Sequence, residues 1–185
     1  MLLPITGGMF YTRIPRHIEY ARIGLRQLRF SDISFLWDGL RDKEILATNG
    51  LSKQIFSSWL SVWWWVKKTF TLIYSIKCDS KRIGFIGLYN LKLGKSAEIS
   101  LVIFDKDMRR VGYGSKAFNI FAQNLKKHSI AEKIIVKVRI DNNISISFWQ
   151  KLGFKELNKI NGIQTMCKNL NSYQPCYGCI PVARP

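Results

Sequence analysis

From Ala97 to Phe104 the side chains alternate along a strand: Ala97, Ile99, Leu101 and Ile103 fall on one face and Glu98, Ser100, Val102 and Phe104 on the other. The same reading predicts strands over 22–28, 70–77, 82–89, 134–140, 154–157 and 164–170, with Asp79-Ser80 and Lys92 to Ser96 as turns. Helical spacing appears elsewhere. Ile33, Phe35, Leu36 and Leu40 follow Ser31 and Asp32, either of which suits an N-cap. After a turn at Asn49-Gly50, Ser52 opens a second helix reaching Lys68, with Ile55, Phe56, Trp59, Leu60 and Trp63 on one side. Ala117, Phe121 and Leu125, joined by Phe118 and Ile120, define an amphipathic helix over 112–127. A short helix starts at Asn142-Asn143 and ends near Leu152, with Gly153 as its C-cap.

The predicted order is β, α, α, three strands, then α, β, α, β, β. That is an α/β (α+β) domain with a mixed, mostly antiparallel sheet of about six to seven strands and helices on both faces. The domain is expected over 21–170. Residues 1–20 read as an irregular lead-in and residues 171–185, with three prolines, as an irregular tail. In the Trp63-Trp64-Trp65 run, one or two rings are expected in the core and the third over neighbouring surface.

Composition adds two things. Apolar residues make up 47% of the 185 and charged residues 22%, enough core for one globular domain. The charge is lopsided: 29 Lys and Arg against 12 Asp and Glu give +17, which attracts anionic partners such as phosphate-rich cofactors, nucleic acid or ribosomes. The excess is densest between Asp105 and Lys168, with thirteen basic and five acidic residues. No apolar run is long enough for a membrane span, and Met1 to Phe10 lacks a basic leader, so a cytoplasmic protein is expected. Cys176 and Cys179 form a Cys-x-x-Cys, but no second pair exists and His17 and His128 stand alone, so no metal site is expected.

The chemistry concentrates at Ile103 to Ser115. A strand ends, a basic loop with Arg109 and Arg110 follows, and Gly112 and Gly114 open a helix. Glycine allows close approach and positive φ. The first amides of a helix lack intrahelical partners, and the helix dipole adds positive character there, so the segment suits a pyrophosphate. A dinucleotide fingerprint is a poorer fit: Ala117 at its third glycine position is sometimes accepted, but the acidic residue, Glu132, precedes its strand instead of ending one. A phosphate loop is also excluded, since Tyr89 stands where Gly94-Lys95-Ser96 would need its upstream glycine.

Arg109-x-x-Gly112-x-Gly114 resembles the acetyl-CoA signature of the GNAT acetyltransferase superfamily, Arg/Gln-x-x-Gly-x-Gly/Ala. Asn142-x-x-Ser145-x-x-Phe148-Trp149-x-Lys151-Leu152-Gly153-Phe154 resembles its second signature, Asn-x-x-Ala-x-x-Leu-Tyr-x-Lys-Leu-Gly-Phe. The likeness covers roughly 82–157, and the part before it is similar in layout to the ribosomal-protein N-terminal acetyltransferase branch. The resemblance implies a strand splay at the acetyl-CoA site, with backbone groups of Val102, Ile103 and Phe104 on the pantetheine arm. It implies that Arg109, Arg110, Val111, Gly112, Tyr113, Gly114 and Ser115 hold the pyrophosphate, and that Asn142, Ser145 and Trp149 complete the cofactor set. Trp149 replaces the Tyr that usually protonates the departing thiolate, leaving Ser145 and Tyr113 as candidate substitutes.

Acetyl transfer needs a neutral amine and therefore a base. Glu98 is the candidate, on the same strand face as Val102 and 14 residues before Gly112, as in the histone-acetylating branch that Ala97-Glu98-Ile99 resembles. The expected activity is acetyl-CoA-dependent N-acetylation of a primary amine, either a protein N-terminus or a small amine, with acetyl-CoA as co-substrate. A ribosomal or other anionic partner and a homodimer are the expected associations, with no membrane. The alternatives are acetylation of a nucleotide-linked amino sugar, a non-catalytic CoA-binding protein and a nucleic-acid-binding module.

Overall fold

The computed structural model describes residues 14–48 and 58–171. Among them, eight strands form one sheet: β1 (His17–Tyr20), β2 (Ile23–Gln27), β3 (Leu72–Cys78), β4 (Lys81–Lys92), β5 (Ser96–Ile103), β6 (Lys133–Arg139), β7 (Lys155–Ile160) and β8 (Ile163–Asn169). Their order is β1-β2-β3-β4-β5-β6-β8-β7. Every pair is antiparallel except β5–β6. A parallel neighbour needs a crossover, and α4 (Tyr113–Lys127) supplies it.

The sheet separates two cores. On one face, Ala97 and Ile99 pack with Ala117, Phe118, Phe121 and Leu125 of α4, together with Trp149 from α5 (Asn143–Lys151). On the other, Ile73 and Phe85 pack with α1 (Ile33–Leu40), α2 (Lys43–Thr48) and α3 (Trp59–Thr69), joined by half-buried Val102 and Phe104. The alternation along β5 therefore holds residue by residue. Trp63 and Trp65 pack against the second core, while Trp64 is 70% exposed.

Several local expectations need correction. His17–Tyr20, inside the expected lead-in, is an edge strand whose half-buried Ile18 and Tyr20 reach the first core; four residues are too few to show a period. Helix α2 was not expected. Asp42 starts it by accepting from the amides of Glu44 (2.9 Å) and Ile45 (3.2 Å). Asp32 makes no side-chain cap to α1; its carboxylate accepts from the Arg29 amide at 2.8 Å and from Arg26 and Arg82. Strands β7 and β8 extend toward each other as a hairpin through Asn161-Gly162, both at positive φ, the turn chemistry that matches strand twist. The expected Asn49-Gly50 turn, the helix start at Ser52 and the Cys176/Cys179 pair lie outside the described residues. No helix of the described residues is long and apolar enough to cross a membrane.

Candidate active site

The parallel β5–β6 ladder is short. It pairs Ser96 with Lys133, Ala97 with Ile134 and Glu98 with Ile135, and then stops. Strand β5 continues to Ile103 and β6 to Arg139 without pairing, so the sheet opens into a wedge whose closed end is at Glu98. Beyond it, β5 carries backbone groups that no strand uses. Which groups these are follows from alternation. The Phe104 amide donates to the Ile83 carbonyl at 2.8 Å, toward β4. Val102 and Ser100 share that side, and Leu101 and Ile103 face the wedge. Phe104 and Val102 thus drop out of the expected set of gap-facing backbone groups, and Leu101 enters it. Ring contacts of Phe104 with Phe35 (5.3 Å) and Phe85 (5.8 Å) fix it in the second core.

At the open end of the wedge, β5 runs into the basic loop. The Asp105 carboxylate receives Lys81 at 2.6 Å and the Asp107 amide at 3.1 Å; these hold its carboxyl below the usual carboxylate range, the Lys81 bond contributing most. Arg109 points inward rather than to solvent. Its Nε donates to the Ile103 carbonyl at 2.9 Å, one terminal nitrogen to the Phe104 carbonyl at 3.2 Å and the other to Glu44 at 3.1 Å. It acts as a clamp on the strand end. Gly112 caps α4 at φ +91°, a left-handed conformation that side chains rarely adopt. The first amide to close the helix is Lys116, donating to Gly112 at 3.0 Å. The amides of Arg110 to Ser115 have no protein partner among the described residues, so this loop can accept an anion through main-chain donors. The Tyr113 hydroxyl lies against the Cys78 thiol, which raises its pKa.

Asn142 has a structural task. It caps α5, its Oδ1 accepting from the Ser145 amide at 3.0 Å. Trp149 packs in the first core. It is 3% exposed, with ring centroids 4.9 Å from Phe154, 5.0 Å from Phe148 and 5.7 Å from Phe118. Its ring is held there by edge-to-face contacts with these three phenylalanines. The neighbouring Phe148 approaches α4 at Gly114, where an added Cβ would meet its ring at 3.4 Å.

Glu98 is the last residue of β5 paired with β6, and its side chain is 14% exposed on the face carrying α1 to α3. Asn90 Nδ2 donates to Oε1 at 3.0 Å, and Lys137 Nζ lies 3.1 Å from Oε1 and 3.0 Å from Oε2. Tyr89, its register partner on β4, has a phenol pushed up to about 12, first by burial and then by the adjacent Glu98 carboxylate. Sequence reasoning named Glu98 without these neighbours. The signal for Lys137 was present: it alternates against Val136 and Val138, which places it opposite the α4 core. Asn90 carried no such signal, because it depends on a register irregularity between Tyr89 and Lys92. Among the described residues no group of three side chains could hold a metal ion.

This geometry can be set beside known proteins. The family model described as Acetyltransferase (GNAT) family matches residues 34–154, well over half the chain. A curated N-alpha-acetyltransferase from Sulfurisphaera tokodaii is 29% identical over 89 residues, 43% of this chain and 53% of that protein, so the chain spans about half the length of the relative it matches. Among solved structures, a ribosomal L7/L12 alpha-N-protein acetyltransferase in complex with coenzyme A superposes with a TM-score of 0.71 at 17% identity, covering 86% of this chain and 99% of that one. Spermidine N-acetyltransferase from Vibrio cholerae, in complex with CoA and spermine, gives 0.69 at 16% identity over 82% and 97%. At such identities the two structures speak to the fold, and the family model speaks to descent. With a wedge between β5 and β6, an unpaired amide loop at its mouth and a family model spanning both, the chain belongs to the Acetyltransferase (GNAT) family.

Proposed function

We propose that this protein is an acetyl-CoA-dependent N-acetyltransferase acting on a primary amine, with Glu98 as general base. The observation that carries the reading is the opening of the β5–β6 ladder directly after Glu98. An extended arm with amide groups fits such a wedge, pairing with main-chain groups of Leu101 and with the amide of Ile103. The amides from Arg110 to Ser115 take the pyrophosphate, and exposed Arg110 adds charge. Arg109 serves indirectly, by fixing the strand end.

Acetyl-CoA supplies an activated thioester: the amine nitrogen bonds to its carbonyl carbon, the carbon–sulfur bond breaks and sulfur departs with the electron pair. Glu98 takes the amine proton, directly or through one water. A strand amide facing the wedge, that of Leu101 or Ile103, stabilises negative charge on the carbonyl oxygen. Trp149 has no part in protonating sulfur, because its ring is buried in the core. The relatives' printed descriptions, an N-alpha-acetyltransferase among them, support an amine acceptor.

The test is thiol release from acetyl-CoA on a panel of amines, with wild type and Glu98→Gln compared across pH. The variant is expected to lose turnover most at lower pH, where more of the amine is protonated. An unchanged pH–rate profile removes Glu98 as the base.

A further inference from the structure

We propose that the acceptor carries a negatively charged group within a few bonds of its amine, and that Lys137 is the residue that reads it. This inference rests on the proposed acetyltransferase activity and names its substrate class.

The Lys137 ammonium crosses the wedge. Glu98 on β5 pairs with Ile135 on β6, Lys137 is two residues further along β6 where the strands no longer pair, and its Nζ reaches back to within 3.0–3.1 Å of both Glu98 oxygens. An amine approaching from the α1–α3 face meets this ion pair first. Lys137 is 50% exposed, so it can swing toward a second anion without leaving water.

The surroundings favour an anionic acceptor. Cross-strand register puts Lys137 beside Thr165 of β8 and Asn158 of β7, and the next row holds Ile135, Cys167 and Lys155. Alternation places Lys133 on this face too. Glu98 is the sole carboxylate that β5, β6, β7 and β8 place there, and Lys137 already neutralises it. A cleft beside the closed end of the wedge is lined by Lys95, Ser96, Lys133, Ile135 and Asn169, with Glu132 its one acidic member. A polycation here would face lysines and compete with Lys137 for Glu98. An anionic substituent would draw the Lys137 ammonium to itself and leave Glu98 free to accept the amine proton. Carboxylate and phosphate share this chemistry, and matched acceptors separate them.

The experiment measures kcat/KM by thiol release for the peptides Ala-Asp-Phe and Ala-Lys-Phe, for glucosamine 6-phosphate and glucosamine, and for spermidine. Wild type is expected to favour the anionic member of at least one pair by about tenfold, the scale of one well-placed charge contact at an interface. Lys137→Met should bring that ratio to within about twofold, and Lys137→Arg should retain it. The rise in Tm on adding acetyl-CoA, unchanged in both variants, shows that fold and cofactor site are intact. A preference for spermidine or for the cationic members overturns the proposal, as does an anionic preference that survives Lys137→Met. Failure of the base assignment reads out separately: Glu98→Gln would keep the wild-type pH profile while the charge preference still depended on residue 137. Absence of turnover with every amine overturns both.

Discussion

Arg109 and Glu44 meet at 3.1 Å, joining the loop after β5 to helix α2 of the second core. The same guanidinium holds the carbonyls of Ile103 and Phe104, so its main task is main-chain anchoring and the ion pair is secondary. Arg109→Gln should raise the acetyl-CoA Kd about tenfold, matching about 1–2 kcal/mol for lost charge-assisted bonds. Glu44→Gln, which removes the exposed ion pairs to Arg109 and Lys106, should change it less than about threefold. Calorimetric titration of both variants checks the order; equal losses would make the ion pair the important contact.

The two motif glycines should separate. Gly112 sits at φ +91°, so Gly112→Ala imposes strain of about 1–2 kcal/mol and disturbs the amides around it. Gly114 is helical, and an added methyl would meet the Phe148 ring at 3.4 Å, a contact a small shift of the ring relieves. Gly114→Ala should retain cofactor binding and Gly112→Ala should lose most of it, measured by the Tm rise with acetyl-CoA. The reverse order contradicts the assignment of Gly112 as the conformational requirement.

Trp149 is predicted to matter for stability rather than chemistry. Trp149→Phe leaves a void among Phe118, Phe148 and Phe154 and should lower stability by about 1–3 kcal/mol. Trp149→Tyr should be no better, since its smaller ring also leaves part of the indole's space empty. Turnover per folded molecule should stay within a few-fold in both. A many-fold gain in kcat with Trp149→Tyr would show that the indole blocks an acid position.

Asp32 links the strand and helix layers. It is 1% exposed, and although burial opposes its ionisation, Arg26 at 2.6 Å, the Arg29 amide and Arg82 outweigh that and hold the carboxyl below its usual range. A depressed folded-state pKa contributes stability above the unfolded value near about 4 and loses it as pH falls through the folded one. Asp32→Asn should therefore cost about 3 kcal/mol near neutrality. The Tm difference from wild type should narrow in acid, as followed by thermal melts from pH 7 downward. A difference independent of pH would mean that the carboxylate's charge is irrelevant.

The fold was legible where periodicity had length to act. Strand β5 and helix α4 carry eight and fifteen residues, long enough for the sequence to show their faces residue by residue. Strand β1 has four residues and helix α2 six, too short for a period to stand out from chance. The loop of unpaired amides before α4 was legible because glycine and backbone chemistry are local. The gap-facing residues of β5 were not, since one pairing bond at Phe104 decides the phase of the whole strand edge. The set around Glu98 joins β4, β5 and β6, and only register brings Tyr89, Glu98 and Lys137 together.

The central claim is amine-dependent cleavage of acetyl-CoA at the wedge between β5 and β6. Thiol release measured at saturating acetyl-CoA, with and without each amine of the panel, tests it most directly. The account predicts release that requires an amine, saturates with it and falls sharply in Glu98→Gln at lower pH. Binding of acetyl-CoA with no amine-dependent release from any member of the panel would contradict it.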